Sequence, residues 1–266
     1  MTGTGERAAF KAFHPRLSGT DIKCIGVLSM LADHVAVVLL GNGLLGWLNP
    51  GYGAWVAQSA YGDRLWSLVY WLRLAGRIAF PAFCLLLVEG FVHTRSRGRY
   101  MGRLLLFALL SEVPYDLALF GCLLDMTGQN VMFSLAAGLA ALWLLERAER
   151  AGGPGQGAAY ALILGCVGAV AEFLRLDYGF AGILTMGVMY LGRDRRWVRF
   201  AAVCLLVFEA GSFAYLPGGI AAGLVVCLYD GRRGSGRFKW LFYWFYPVHL
   251  LALGLACRLL PGMKGL

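Results

Sequence analysis

The chain has 266 residues, of which 59% are hydrophobic and 15% charged, and its mean hydropathy is +0.65. Soluble domains carry about 25% charged residues, so this composition excludes a soluble enzyme and predicts an integral membrane protein. The net charge of +9 does not point to nucleic acid, because the basic residues punctuate apolar runs as topology signals do.

Residues 1–19 read as a polar arm. The first apolar run begins near Ile22 and lacks a small-residue cleavage site, so a removable signal peptide is not expected. About twenty apolar residues make a helical span. Nine are predicted, at 21–41, 66–94, 99–120, 130–147, 157–173, 178–192, 197–212, 214–230 and 238–260. The expected fold is therefore all-α, a polytopic bundle of about nine transmembrane helices. A single membrane domain covers 20–260, and 261–266 form a short tail. The second span is overlong and contains Pro81, which predicts a kink or tilt there. The connection at 42–62, with the stretch GWLNPGYGAWVAQSAYG, reads as an interfacial anchor or a cover over a cavity mouth. The seven cysteines form no CxxC pair, and their odd number argues for small buried hydrophobes over a disulfide framework.

Charge orients the spans. Arg7, Lys11, Arg16 and Lys23 surround the chain's entry into the first span. Arg95, Arg97, Arg99 and Arg103 follow the second, and Arg147 and Arg150 the fourth. Arg193, Arg195, Arg196 and Arg199 follow the sixth, and Arg232, Arg233, Arg237 and Lys239 the eighth. With nine alternating spans these clusters share one side, which the positive-inside rule makes cytoplasmic. The N-terminus then lies in the cytoplasm.

Against this background, ionisable residues within spans stand out. Each costs roughly 2.5–3.5 kcal/mol at mid-helix and marks a candidate site. At a rise of about 1.5 Å per residue, His34 lies about 20 Å from the inner surface, with Arg77 and His249 near the middle. Glu112 lies about 18 Å and Asp116 about 24 Å from the inner side on the same rise, on one face of their helix. Asn130, Glu172, Asp177 and Glu209 mark outer ends of spans. Glu89 and His93, spaced i,i+4, sit at the cytoplasmic edge beside the basic turn. Asp33 and His34 are adjacent and point about 100° apart, so they cannot readily pair. A carboxylate that orients His34 is expected from another helix, with Glu112 or Asp116 the candidates. The bland alternatives are a buried His34 bonded to a carbonyl, a His249 packed at a kink beside Tyr246 and Pro247, and a local Glu89–His93 pair. The four histidines include no HxxxH or HxxE pair, so no metal site is expected.

The stretches TDIKCIGVLSMLADH (20–34), GRIAFPAFCLLLVEGFVHTRSRGRYMGRLLLFALLSEVPYDL (76–117), NVMFSLAAGLAALWLLE (130–146), DYGFAGIL (177–184) and YWFYPVHLLAL (243–253) resemble the TraX family. The motifs GRIAFPxF, EGFxHTRxRxxY and SExPYDL carry most of that resemblance. TraX proteins are associated with conjugation, and the type member acetylates the N-terminal amine of a pilin subunit. The family is similar to transmembrane acyltransferases that use cytoplasmic acyl-CoA, in which a His late in the first core span acts in acyl transfer. His34 holds that position. The resemblance implies acetyl-CoA or another acyl-CoA as cosubstrate, an amine or hydroxyl acceptor such as the N-terminus of a pilin-like protein, and the bacterial inner membrane as location.

Chemistry then suggests roles. Arginines recognise phosphate by bidentate geometry, so Arg95, Arg97, Arg99 and Arg103, with Glu89, His93 and Arg77, are the candidate acyl-CoA residues. His34, with Asp33, Glu112 and Asp116, forms the candidate catalytic set, acting as general base or through a covalent acyl-His. Arg77 is also a candidate to stabilise an oxyanion. Tyr115, Asn130, Asp177, Tyr246 and His249 are candidate substrate contacts. The main rival is a proton-coupled transporter, whose relays also use buried His and carboxylates; a third reading is a non-catalytic scaffold. No GxGxxG, Walker or GxSxG pattern supports another enzyme class.

Overall fold

The computed structural model describes residues 16–209, 213–234 and 239–264. Most of the expected polar arm, with Arg7, Lys11 and His14, lies outside the described residues, as do Arg237 and the last two residues of the tail. Among the described residues the regular structure is helical, with two isolated β-bridges and no strand.

The chain enters its first helix, α1 (Gly19–His34), through a capping box. The Ser18 backbone N–H donates to the Asp21 carboxylate at 2.8 Å, and the Asp21 N–H donates to Ser18 Oγ at 3.4 Å, which satisfies two donors that an open helix end leaves unpaired. α1 does not end at His34. It continues in π-helical turns over Val35–Leu45 and stops at Gly46, whose left-handed φ of 68° suits a residue without Cβ. The first span therefore extends past 41 to Leu45. The expected loop at 42–62 contains a short helix, α2 (Pro50–Ala57), started by the Asn49 side chain.

The second span begins earlier than expected and is two helices, α3 (Ala60–Gly76) and α4 (Ala79–His93). Their break falls at Arg77–Ile78, four residues before Pro81. A proline lacks the N–H that would bond the carbonyl four residues back and its ring crowds that carbonyl, so the kink is displaced to Arg77. Then follow α5 (Arg97–Leu119), α6 (Val131–Ala151), α7 (Gln156–Phe173), α8 (Gly179–Leu191), α9 (Arg196–Glu209), α10 (Leu216–Leu228) and α11 (Lys239–Cys257).

By length and composition five described segments can cross a membrane: Gly19–Leu45, Ala60–His93, Val131–Ala151, Gln156–Phe173 and Trp240–Cys257. Gly179–Leu191 and Leu216–Leu228 are shorter apolar helices, and α5 is long but interrupted by Arg97, Arg99, Arg103, Glu112 and Asp116. The chain is a multi-pass helical membrane protein.

Packing between helices in lipid relies on close contact of small residues. A Cβ on Gly254 of α11 would touch the Ala118 backbone of α5 at 3.2 Å, and one on Gly26 of α1 would touch Ala82 of α4 at 3.4 Å. The buried core includes Leu85, Phe91, Phe107, Leu139, Leu142, Met186 and Leu250.

Contacts among the connections sort the two ends of the bundle. At one end Arg97 pairs with Glu146, Arg193 with Glu149 at 3.0 Å, and the Gly19 N–H donates to the Arg232 carbonyl at 2.7 Å. Residues from all five basic clusters gather there. At the other end the Asn42 amide donates to the carbonyls of Ala118 and Leu119, both at 3.1 Å, and Gln129 bridges to Leu176.

Candidate functional site

Two polar regions stand one above the other inside the bundle. The first is a cavity of about 500 Å³ at the basic end. Lys23 of α1, Arg95, Arg103 of α5 and Arg233 face it, together with Glu89, His93, Tyr100 and Tyr229. Its inner wall is apolar, with Phe83, Leu86 and Leu87 of α4, Leu104 of α5, and Met132 and Leu135 of α6. Aromatic rings support the cations: the Arg103 guanidinium lies 5.7 Å from the Tyr100 ring, and the Lys23 ammonium 5.8 Å from Phe242. Buried Arg103 Nε has no hydrogen-bond acceptor among the described residues. Glu89 accepts from the Tyr229 hydroxyl at 3.2 Å, and its backbone carbonyl lies 2.9 Å from His93 Nδ1. The local pair expected from their spacing is loose, at 3.7 Å between His93 Nδ1 and the Glu89 carboxylate.

The cavity takes up only part of the expected cofactor set. Arg97 is occupied by Glu146 and lies 4.5 Å over the Phe91 ring. Arg99 is exposed and does not line the cavity, because it falls on the outer face of α5. Arg77 is at the α3–α4 break, 3.8 Å from Asp33 and 4.8 Å from the Tyr215 ring, and belongs to the deep region. Conversely, Lys23, Tyr100, Tyr229 and Arg233 line the cavity without having been singled out from sequence. Lys23 and Arg233 had a visible signal, their charge, which topology accounted for; Tyr100 closes the EGFxHTRxRxxY motif, and Tyr229 had no signal.

The deep region centres on His34. Its Nδ1 lies 2.7 Å from Nε2 of His249, and Nδ1 of His249 lies 2.7 Å from the Phe245 carbonyl one turn back on α11. Tyr246 stands beside both rings, with centroids 6.2 Å from His34 and 5.8 Å from His249. The partner of His34 is therefore a histidine and not a carboxylate. α11 packs against both α1 and α5 and brings His249 to the place expected of Glu112 or Asp116. Neither carboxylate hydrogen-bonds His34 among the described residues. Glu112 instead accepts from the Asn130 amide, which also donates to the Ala108 carbonyl at 2.9 Å, and Asp116 accepts from the Asp125 N–H at 2.9 Å. One oxygen of each carboxylate, and the Ser111 hydroxyl, are buried without a partner among the described residues. Tyr115, one turn from Ser111, is buried with its ring 5.9 Å from Phe120.

Asp33 and His34 diverge as their spacing predicts. Asp33 turns to α3, where Arg73 donates to it at 2.8 Å, while His34 turns to α11. Asp177, in the connection between α7 and α8, completes this side. Burial pushes its carboxyl up to about 7, with Asp33 adding to the rise and Arg77 and Arg73 opposing it. The next residue, Tyr178, holds a left-handed φ of 60° and stacks on Phe80 at 3.8 Å. That conformation is uncommon for a residue with a Cβ and persists where packing over-determines it.

With this geometry in place, comparison with known proteins identifies the group. The family model described as TraX protein matches residues 18–257. The chain belongs to the TraX family. The TraX match runs from the capping box to the end of α11, so it takes in both the cavity and the histidine pair. A relative from Dichelobacter nodosus, described as probable fimbrial assembly protein FimC, serogroup H1, is 29% identical over 262 residues, covering 89% of this chain and 94% of the relative. No solved structure matches the chain.

Proposed function

We propose that this TraX protein is a membrane-embedded acyltransferase that moves an acyl group, acetyl above all, from acyl-CoA on the basic side to an amine or hydroxyl acceptor reached from the membrane or its far face. The basic end is cytoplasmic in this reading, the N-terminus is inside, and nine helical rods alternate across the bacterial inner membrane. Support for that topology comes from the basic clusters meeting at one end of the bundle.

The observation that carries the function is the cavity's polarity gradient. Its mouth has Lys23, Arg95, Arg103 and Arg233, and its inner wall is apolar up to Met132 and Phe83. Phosphates suit the mouth. The volume falls within the usual range for small-molecule sites, about 300–1,000 Å³. Lys23 and His34 are eleven residues apart on α1, about 16 Å along the axis. An extended pantetheine arm spans about 15–20 Å, by analogy with a chain rise near 3.3–3.6 Å per residue. It can therefore reach from the mouth toward the histidine pair. His34 then takes the proton of the acceptor as general base. The acceptor is an amine of a fimbrial or pilin-like subunit, a choice supported by the fimbrial assembly description of the Dichelobacter relative.

The test is acetyl-CoA binding to the purified protein in detergent, with Arg103→Ala and Arg233→Ala set against Arg97→Ala. Saturable binding weakened by the first two and spared by the third supports the reading. A folded sample that binds no acetyl-CoA at millimolar ligand, yet carries proton-coupled solute flux in liposomes, would transfer the assignment to a transporter.

A further inference from the structure

The hydrogen-bond chain through the two histidines decides which nitrogen of His34 is basic. A backbone carbonyl can only accept, so His249 Nδ1, 2.7 Å from the Phe245 oxygen, carries a proton. A neutral imidazole has one N–H. His249 Nε2 is then a bare acceptor, and the proton in its 2.7 Å contact with His34 Nδ1 belongs to His34. By the same rule His34 Nε2 is bare, and no described residue hydrogen-bonds it. Both rings are neutral at rest because an uncompensated charge in this interior is costly, and the cations Arg73 and Arg77 are committed to Asp33. The roles follow from what the partners can do, which is the sound basis for a tautomer.

We propose that His249 is a positioning residue that fixes His34 in the Nδ1–H tautomer and presents its Nε2 lone pair to the acceptor. The inference rests on the acyltransferase reading for its chemistry but not for its geometry. In the transfer, His34 Nε2 takes a proton from the acceptor amine as the nitrogen bonds the thioester carbonyl carbon. The carbon–sulfur bond breaks, the sulfur leaves with the electron pair, and the proton passes from Nε2 to sulfur, giving the amide and free CoA thiol. While His34 is charged, its Nδ1–H points at His249 Nε2, and the Phe245 carbonyl stabilises the pair from the far end. This is the orienting role that a carboxylate plays in hydrolase triads, filled here by a neutral imidazole backed by a peptide dipole. The Phe245 ring also stacks on the His249 ring, at 4.6 Å and 15°.

Two readouts test it. In wild-type protein labelled with ¹⁵N-histidine, His34 (assigned with His34→Gln) gives the spectrum of a bare Nε2 and a protonated Nδ1, and His249→Leu converts it to the Nε2–H form. A protonated Nε2 in the resting wild-type, or an unchanged tautomer in His249→Leu, would overturn the proposal. Kinetically, His249→Leu lowers kcat by roughly 10²–10⁴-fold, the range of a general base, with KM for acetyl-CoA unchanged. His249→Gln, whose side-chain oxygen can accept from His34 Nδ1–H, recovers most of kcat. Equal losses in both variants would reduce His249 to a packing residue. If the wild-type transfers no acetyl group while the tautomer readout holds, the acyltransferase reading fails and the positioning of His34 stands.

Discussion

At the scale of single residues, the geometry assigns distinct duties to groups that look alike in sequence. Asp33 and His34 are neighbours, yet one is tied to Arg73 and the other to His249. His34→Ala is expected to abolish acetyl transfer with expression and acetyl-CoA binding intact, measured as turnover in detergent; retained turnover would remove His34 as the base. Gly76 lies against the Asp33 side chain, so a Cβ there would collide with the carboxylate and its stem. Gly76→Ala is therefore expected to destabilise by about 1–3 kcal/mol, the usual cost of overpacking, read as a lower Tm. Asp177 sets a pH dependence. Its carboxyl is raised from an ordinary 3.8 to about 7 by burial, so between those values the folded state holds a proton that the unfolded state has lost. Stability then falls as pH rises through that window. Wild-type protein is expected to melt at a higher temperature at pH 5 than at pH 7.5, and Asp177→Asn should flatten that difference. These residue roles were only half legible beforehand. The chemistry-bearing side chains could be picked out because membrane depth makes them costly. Their pairing could not, since the contacts of His34 with His249 and of Asp33 with Arg73 cross 215 and 40 residues of sequence.

At the scale of elements, α5 carries two kinds of arginine. Arg103 faces the cavity, while Arg97 closes the connection to α6 through Glu146. Arg97→Ala is expected to lower Tm and leave acetyl-CoA affinity close to wild-type. Arg103→Ala should do the reverse, raising Kd about tenfold or more, as loss of a charge-assisted contact worth about 1.5–3 kcal/mol implies. Calorimetry and thermal unfolding on the same samples separate the two. The break between α3 and α4 illustrates how local rules act at a distance: Pro81 was visible, but the bend it causes appears at Arg77, which thereby leaves the helical ladder and reaches Asp33. In the same way the long apolar run through His34 gave no sign that the α-helix passes into π-helical turns immediately after it. π-helical turns are frequent at functional sites, and hydrophobic periodicity does not report them.

At the scale of the whole molecule, the gathering of basic clusters at one end predicts a labelling pattern. Gly98, where a Cβ meets open space, lies at the basic end, and exposed Leu124 lies in the α5–α6 connection at the other. In intact cells a membrane-impermeant maleimide should label Leu124→Cys above the background of native cysteines and leave Gly98→Cys untouched until the membrane is opened. The opposite pattern would invert the proposed orientation. Composition alone determined that the chain enters a bilayer as helices, because a backbone without water must bond internally and long apolar runs can do so only locally. Motif order determined the family, which the match over residues 18–257 established. The tertiary structure decided which helices meet. It placed Lys23 and Arg233 with Arg95 and Arg103 around one cavity, withdrew Arg77, Arg97 and Arg99 from it, and gave His34 a histidine for a partner. Helix formation is local and written in each span, whereas the packing that brings α1, α5 and α11 together depends on small residues and shape complementarity across distant segments, which no single stretch of the chain encodes.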